Sequence, residues 1–118
     1  MHIKLYVARD DAITDLALSM IDEAVASVGL GAVDIDIIVV ASDDEARDLR
    51  CLGSPTIRVD GFDIEYGERE PPETTIGERY YSTSEGWGRL PTAGMVSFAI
   101  REAQARLAAG SEGNNDLK

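Results

Sequence analysis

Ile3-Lys4-Leu5-Tyr6-Val7 alternates apolar and polar positions and is rich in strand formers, which predicts a first strand. The period then changes. Ile13, Leu16, Ala17, Met20, Ile21, Ala24 and Val28 recur at three- and four-residue spacing, the stripe of an amphipathic helix. Asp10 or Asp11 stands before it as a cap, and Gly29 and Gly31 follow as terminators. Val33 to Val40 predicts a second strand. Its alternation gives way to a continuous Ile37-Ile38-Val39-Val40 run, the pattern of a central parallel strand buried on both faces. Ser42-Asp43-Asp44-Glu45 has the spacing of a capping box and predicts a short helix from about Asp43 to Cys51. Gly53-Ser54-Pro55 breaks the chain. Thr56 to Val59 and Phe62 to Glu65 are strand-like runs joined by Asp60-Gly61, a two-residue hairpin signal.

Tyr66 to Gly77 holds Pro71, Pro72 and several charges, and reads as an irregular loop. Arg79-Tyr80-Tyr81 adds a short strand, with the two tyrosines divided between core and surface. Ser82 to Pro91 is a second loop in which Gly86 and Gly88 flank Trp87, a side chain expected to fold back onto the core. Thr92 caps a last helix with Val96, Ala99, Ile100, Ala103 and Leu107 as its buried stripe. Residues 1–109 form the expected domain, and 110–118 a disordered tail. The order is β-α-β-α-β-β-α. A right-handed βαβ unit makes the first two strands parallel, and the hairpin adds antiparallel members. The expected fold is α/β, with a mixed central sheet and helices on both faces.

Pro55 stands at the entrance of a strand, where it cannot donate a ladder hydrogen bond and so belongs at a bend or edge. The arrangement is thioredoxin-like, and Pro55 holds the position of that fold's cis-proline. Leu5-Tyr6-Val7, the segment from Leu52 to Gly61 and that from Glu78 to Gly86 resemble small bacterial thioredoxin-like proteins, a group sometimes placed alongside organomercurial lyases. The resemblance extends from Ile3 to about Ala108. It implies the fold, a cis bond before Pro55, and cysteines after the first strand and just before the Arg-x-Tyr segment. This chain departs at both places, with Ala8-Arg9-Asp10-Asp11-Ala12 at the first and Glu78 at the second. The scaffold carries over. The thiol chemistry does not.

Composition narrows the chemistry further. Eleven Lys and Arg against twenty-two Asp and Glu give a net charge of −11, which repels phosphate backbones and anionic headgroups. Neither nucleic acid nor membrane is an expected partner, and a cytoplasmic location follows by elimination. Cys51 is the only cysteine, so no intrachain disulfide can form, and it reads as a small buried hydrophobe. His2 is the only histidine; no metal and no cofactor are expected.

The leading functional expectation is a redox-inactive module that binds a peptide or small ligand beside Pro55. The backbone of Ser54 and Thr56 would pair with an extended ligand by strand addition. The candidate ligand-binding residues are Arg9, Asp10, Asp11, Ser54, Pro55, Thr56 and Glu78. An enzyme working through Cys51 or through the carboxylates of Asp10, Asp11 and Glu78 is the alternative, with no catalytic residue assigned. Two carboxylates brought together can divide acid and base roles. A homodimer through an exposed edge strand or the Trp87 loop is a third, compatible reading.

Overall fold

In a computed structural model the backbone is described for residues 1–31 and 33–116, and side chains for 1–31 and 33–109. The chain runs β1 (His2–Ala8), α1 (Ile13–Ser27), β2 (Asp34–Val40), α2 (Asp43–Leu49), β3 (Leu52–Ser54), β4 (Thr56–Val59), β5 (Phe62–Asp63), β6 (Thr75–Glu78), β7 (Tyr81–Thr83), β8 (Gly86–Gly88) and α3 (Ala93–Asp116). It is a mixed α/β fold. The main sheet has the order β2-β1-β4-β5, with β1 parallel to β2 and antiparallel to β4.

The alternation of β1 sorts its side chains between two faces. Ile3, Leu5 and Val7 are buried against Ala17, Met20, Ile21 and Ala24 of α1 and Val96, Ile100 and Ala103 of α3. Tyr6 points to the other face, where it packs with Val40, Ala46 of α2 and Cys51. Helices thus lie on both faces, as expected. The helical stripes are narrower than predicted, since Leu16 and Leu107 are exposed. Among the described residues no helix is long and apolar enough to cross a membrane.

β2 corrects the sequence reading. It is an edge strand, because β1 takes the centre by pairing with both β2 and β4. Of its seven residues only Val40 is buried, so the apolar run at its end does not mark burial on both faces.

Local signals in the sequence act largely as expected. Asp60 and Gly61 both have positive φ (49° and 89°), the backbone of the two-residue turn that matches strand twist. Ser42 Oγ accepts the Glu45 amide at 3.2 Å, while the Glu45 carboxylate reaches back one residue further than a capping box requires, to the Ala41 amide at 2.7 Å. α2 ends at Leu49 and not at Cys51. Arg50 turns left-handed, and the Cys51 amide closes onto the Ala46 carbonyl at 2.7 Å. Thr92 caps α3 through Oγ1, which accepts the Met95 amide at 3.1 Å. α3 is helical to Asp116, over part of the segment expected to be a tail; residues 117–118 and the side chains from 110 onward lie outside the described residues.

Two strand pairs lie largely in stretches read as loop, while of the strand expected over Arg79–Tyr81 only Tyr81 is in one, and that expected over Phe62–Glu65 ends at Asp63. β6 falls mostly within the segment read as the Tyr66–Gly77 loop and pairs in parallel with β3. β7 and β8 form a hairpin from Tyr81 to Gly88. The β3–β6 approach depends on Gly53, whose φ is +119°. A Cβ there would lie 2.8 Å from Arg79 Cβ and 3.1 Å from the Gly77 carbonyl oxygen.

Candidate functional site

The Ser54–Pro55 peptide is cis, in agreement with the expectation for this bend. Ser54 ties it to the start of α1. Its Oγ accepts the Ala8 amide at 2.9 Å and donates to Asp11 Oδ2 at 2.7 Å. Neither Asp10 nor Asp11 is the N-cap of α1, which is Ala12; Asp11, one residue earlier, accepts the Ile13 amide through Oδ1 at 3.1 Å. Asp10 makes no such contact. It adopts a left-handed backbone (φ 59°) and stays exposed beside Arg9.

Arg89 completes the cluster. One guanidinium nitrogen donates to Asp11 Oδ2 at 2.6 Å and to the Ser54 carbonyl at 2.8 Å, and the other reaches Glu78 Oε2 at 3.2 Å. Its buried Nε has no hydrogen-bond partner among the described residues. Asp11 and Glu78 therefore do meet, but across a cation. Burial pushes the Asp11 carboxyl upward; the Ser54 hydroxyl, the Arg89 guanidinium and the Ile13 amide outweigh it and hold the group below the ordinary carboxylate value. An acid–base dyad needs one carboxyl raised into working range. The geometry here holds Asp11 below that range, so it is not the raised member of such a pair.

Beneath Pro55 lies a second polar layer. Tyr81 donates from its hydroxyl to the Pro55 carbonyl at 2.6 Å. Arg79 stacks on the Tyr81 ring, 4.2 Å from its centroid, and makes two bonds to the Asp63 carboxylate at 2.7 and 2.8 Å. Glu65 adds a third carboxylate contact at 3.3 Å. Burial opposes the Arg79 charge, but Asp63 and Glu65 more than offset it and the guanidinium stays protonated. Burial likewise pushes the Tyr81 hydroxyl well above its ordinary value. This layer ties Pro55 to β7 through Tyr81, and Tyr81 through Arg79 to Asp63.

Ser54, Pro55 and Thr56 are all buried. Their backbone is already in use, which removes the expected strand addition. Thr56 pairs with Tyr6 across β4 and β1. Ser54 pairs with Glu78 of β6, and its carbonyl accepts both the Arg79 amide at 2.9 Å and Arg89. The chain's own β6 occupies the edge a ligand would need. Of the candidate residues, Arg9, Asp10 and Glu78 face solvent.

The open surface lies to one side of this cluster. A groove of about 690 Å³ runs between the start of α1, the β7–β8 hairpin and the start of α3, lined by Ile13, Trp87, Arg89, Leu90 and Pro91. Glu23 and Glu85 also border it. Trp87 does not fold onto the core as expected; it is 75% exposed, in the middle of β8, a strand that pairs with β7 in a separate two-stranded sheet. Tyr80 and Tyr81 divide as predicted, the first half exposed and the second fully buried. Sequence reading missed Arg89. Its one signal is that it carries the sole positive charge between Arg79 and Arg101.

Cys51 is fully buried among Tyr6, Val40 and Ala46, and its thiol donates to the Gly53 carbonyl at 3.4 Å. A second groove, about 600 Å³, opens on the α2 face of the sheet near Lys4, Tyr6 and Arg50. Several of its polar side chains are already paired, His2 with Asp36 and Arg58 with Glu70, each at 2.7 Å. Among the described residues no group of three or more His, Cys, Asp or Glu side chains is placed to hold a metal ion. No family model matches the chain, and no curated protein or solved structure matches it either.

Proposed function

We propose that this chain is a thioredoxin-like interaction module without dithiol chemistry, and that it receives a peptide in the groove between Trp87 and the start of α1. The sheet order β2-β1-β4-β5, with α1 and α3 on one face and α2 on the other, supports the thioredoxin-like assignment. The single observation that carries the function is the exposed Trp87 on the wall of a groove shared with Arg89, which Asp11 and Ser54 hold in place. Tryptophan is among the residues most enriched where binding energy concentrates at interfaces.

Charge selects the ligand class. Glu23 and Glu85 border the groove, Arg89 is neutralised by Asp11 and Glu78, and the whole chain carries −11. The peptide should therefore be extended, part apolar, and cationic. The enzyme readings have less support. Cys51 has no exposed surface from which to attack a substrate, and the Asp11 carboxyl is held below its ordinary value.

Trp87 is the only tryptophan, so its emission reports on the groove directly. Titration with a panel of lysine- and arginine-containing peptides should give a saturable change in emission, and acidic counterparts none. By calorimetry Trp87→Ala should weaken the interaction by about 2 kcal/mol or more, roughly thirtyfold. Absence of a saturable response across the panel would refute the proposal. So would reduction of a disulfide substrate that Cys51→Ser abolishes.

A further inference from the structure

The outer edge of β2 has no strand beside it among the described residues, so half the backbone donors and acceptors of Asp34–Val40 lack a ladder partner. Proteins usually blunt such an edge with lysines, prolines or a bulge. β2 has none of these; its charges, Asp34 and Asp36, are confined to its first half. The second half is apolar and open. Pairing of Leu5 with Ile37 and of Val7 with Val39 puts both β2 residues on the α1 face of the sheet, yet they are 47% and 51% exposed. Leu16 on α1 is 57% exposed as well.

We propose that this edge is where a second copy of the chain adds, β2 against β2, to join the two sheets into one. The strand is self-complementary in that arrangement. A two-fold antiparallel pairing that uses all of Asp34–Val40 is centred on Ile37. Ile37 then meets its own copy, Ile35 faces Val39, and Asp36 faces Ile38. Asp34 faces Val40, so no carboxylate opposes another. Like charges directly opposite would be unfavourable, and this register avoids them. The groove at Trp87 lies elsewhere and takes no part.

Each copy carries −11, so long-range repulsion opposes the pairing and salt should relieve it. Sedimentation equilibrium should show mass rising toward two copies with concentration, more readily at high salt than at low. Ile37→Lys places two ammonium groups opposite each other across the axis and should weaken association by about tenfold or more. It also lowers the overall negative charge, which alone would strengthen association, so the direction separates the local contact from bulk charge. Phe98→Lys, at another exposed apolar position, should leave the association unchanged. Circular dichroism checks that each variant folds, and concentration-dependent amide protection in β2 locates the contact independently. One-copy mass at every concentration and salt overturns the proposal, as does a dimer that survives Ile37→Lys but dissolves on Trp87→Ala.

Discussion

Replacing Arg89 by Ala removes three interactions at once: those with Asp11, with the Ser54 carbonyl and with Glu78. Their weights differ. The Glu78 side chain is 63% exposed, so water screens that pair and it contributes little. Asp11 and Arg89 are 14% and 22% exposed, between a surface pair and a buried one. A fully buried pair broken on one side costs about 3–5 kcal/mol, and a charge-assisted hydrogen bond about 1.5–3 kcal/mol. With the groove admitting water to this cluster, the loss should be about 1–2 kcal/mol near neutral pH.

The pH dependence carries the sharper test. Asp11 titrates below its ordinary value of 3.8 in the folded chain, so the stabilisation it contributes is complete above that pH and is lost as pH falls through the lowered value. Arg89→Ala raises the folded value, and the deficit relative to wild type should shrink as pH drops below about 3.8. A residue persists from the bond to Ser54. Urea unfolding of both proteins across the acid range reads the deficit, and a carboxyl NMR titration reads Asp11 itself. A deficit that stays constant through the acid range, or an unchanged Asp11 titration, would refute the assignment of Arg89 as the partner that holds this carboxylate.

Further outcomes follow from the layer beneath. Asp63→Ala leaves the Arg79 charge buried with Glu65 alone, and should cost about 3–5 kcal/mol in chemical denaturation. Tyr81→Phe deprives the Pro55 carbonyl of its buried donor and should cost about 1–3 kcal/mol, with no shift of the cluster above it. Gly53→Ala combines a φ of +119° with a 2.8 Å clash against Arg79, and should destabilise more than Gly61→Ala, where a Cβ meets nothing within 4 Å. Cys51 should react with an aromatic disulfide reagent only at the rate of unfolding, which stopped-flow absorbance with and without urea can compare.

The parts of the fold that were legible from sequence are those with local causes. Asp60-Gly61 specifies its turn through two backbone angles, Ser42 and Thr92 cap helices through hydroxyls, and the α1 stripe follows from spacing. The placement of β2 was not legible, because an apolar run records hydrophobicity and not which strand lies beyond it. Ile37 and Val39 look like core residues until β1 is seen to hold the centre. β6 was missed for a related reason: Thr75-Ile76-Gly77-Glu78 is too short to signal a strand, and it exists because Gly53 lets it approach β3. The site was half visible. Asp11, Ser54 and Glu78 were named from their positions relative to Pro55, but Arg89 joins them from a sequence distance of 78 residues in the case of Asp11. No local pattern encodes such a contact.

The most direct test maps chemical shifts in the uniformly labelled protein as an extended cationic peptide is added. Perturbations should gather at the Trp87 indole, the Ile13 amide and the amides from Arg89 to Thr92, and leave the Cys51 region unmoved. Shifts that instead gather around Cys51, or on the α2 face near Lys4 and Arg50, would contradict the account.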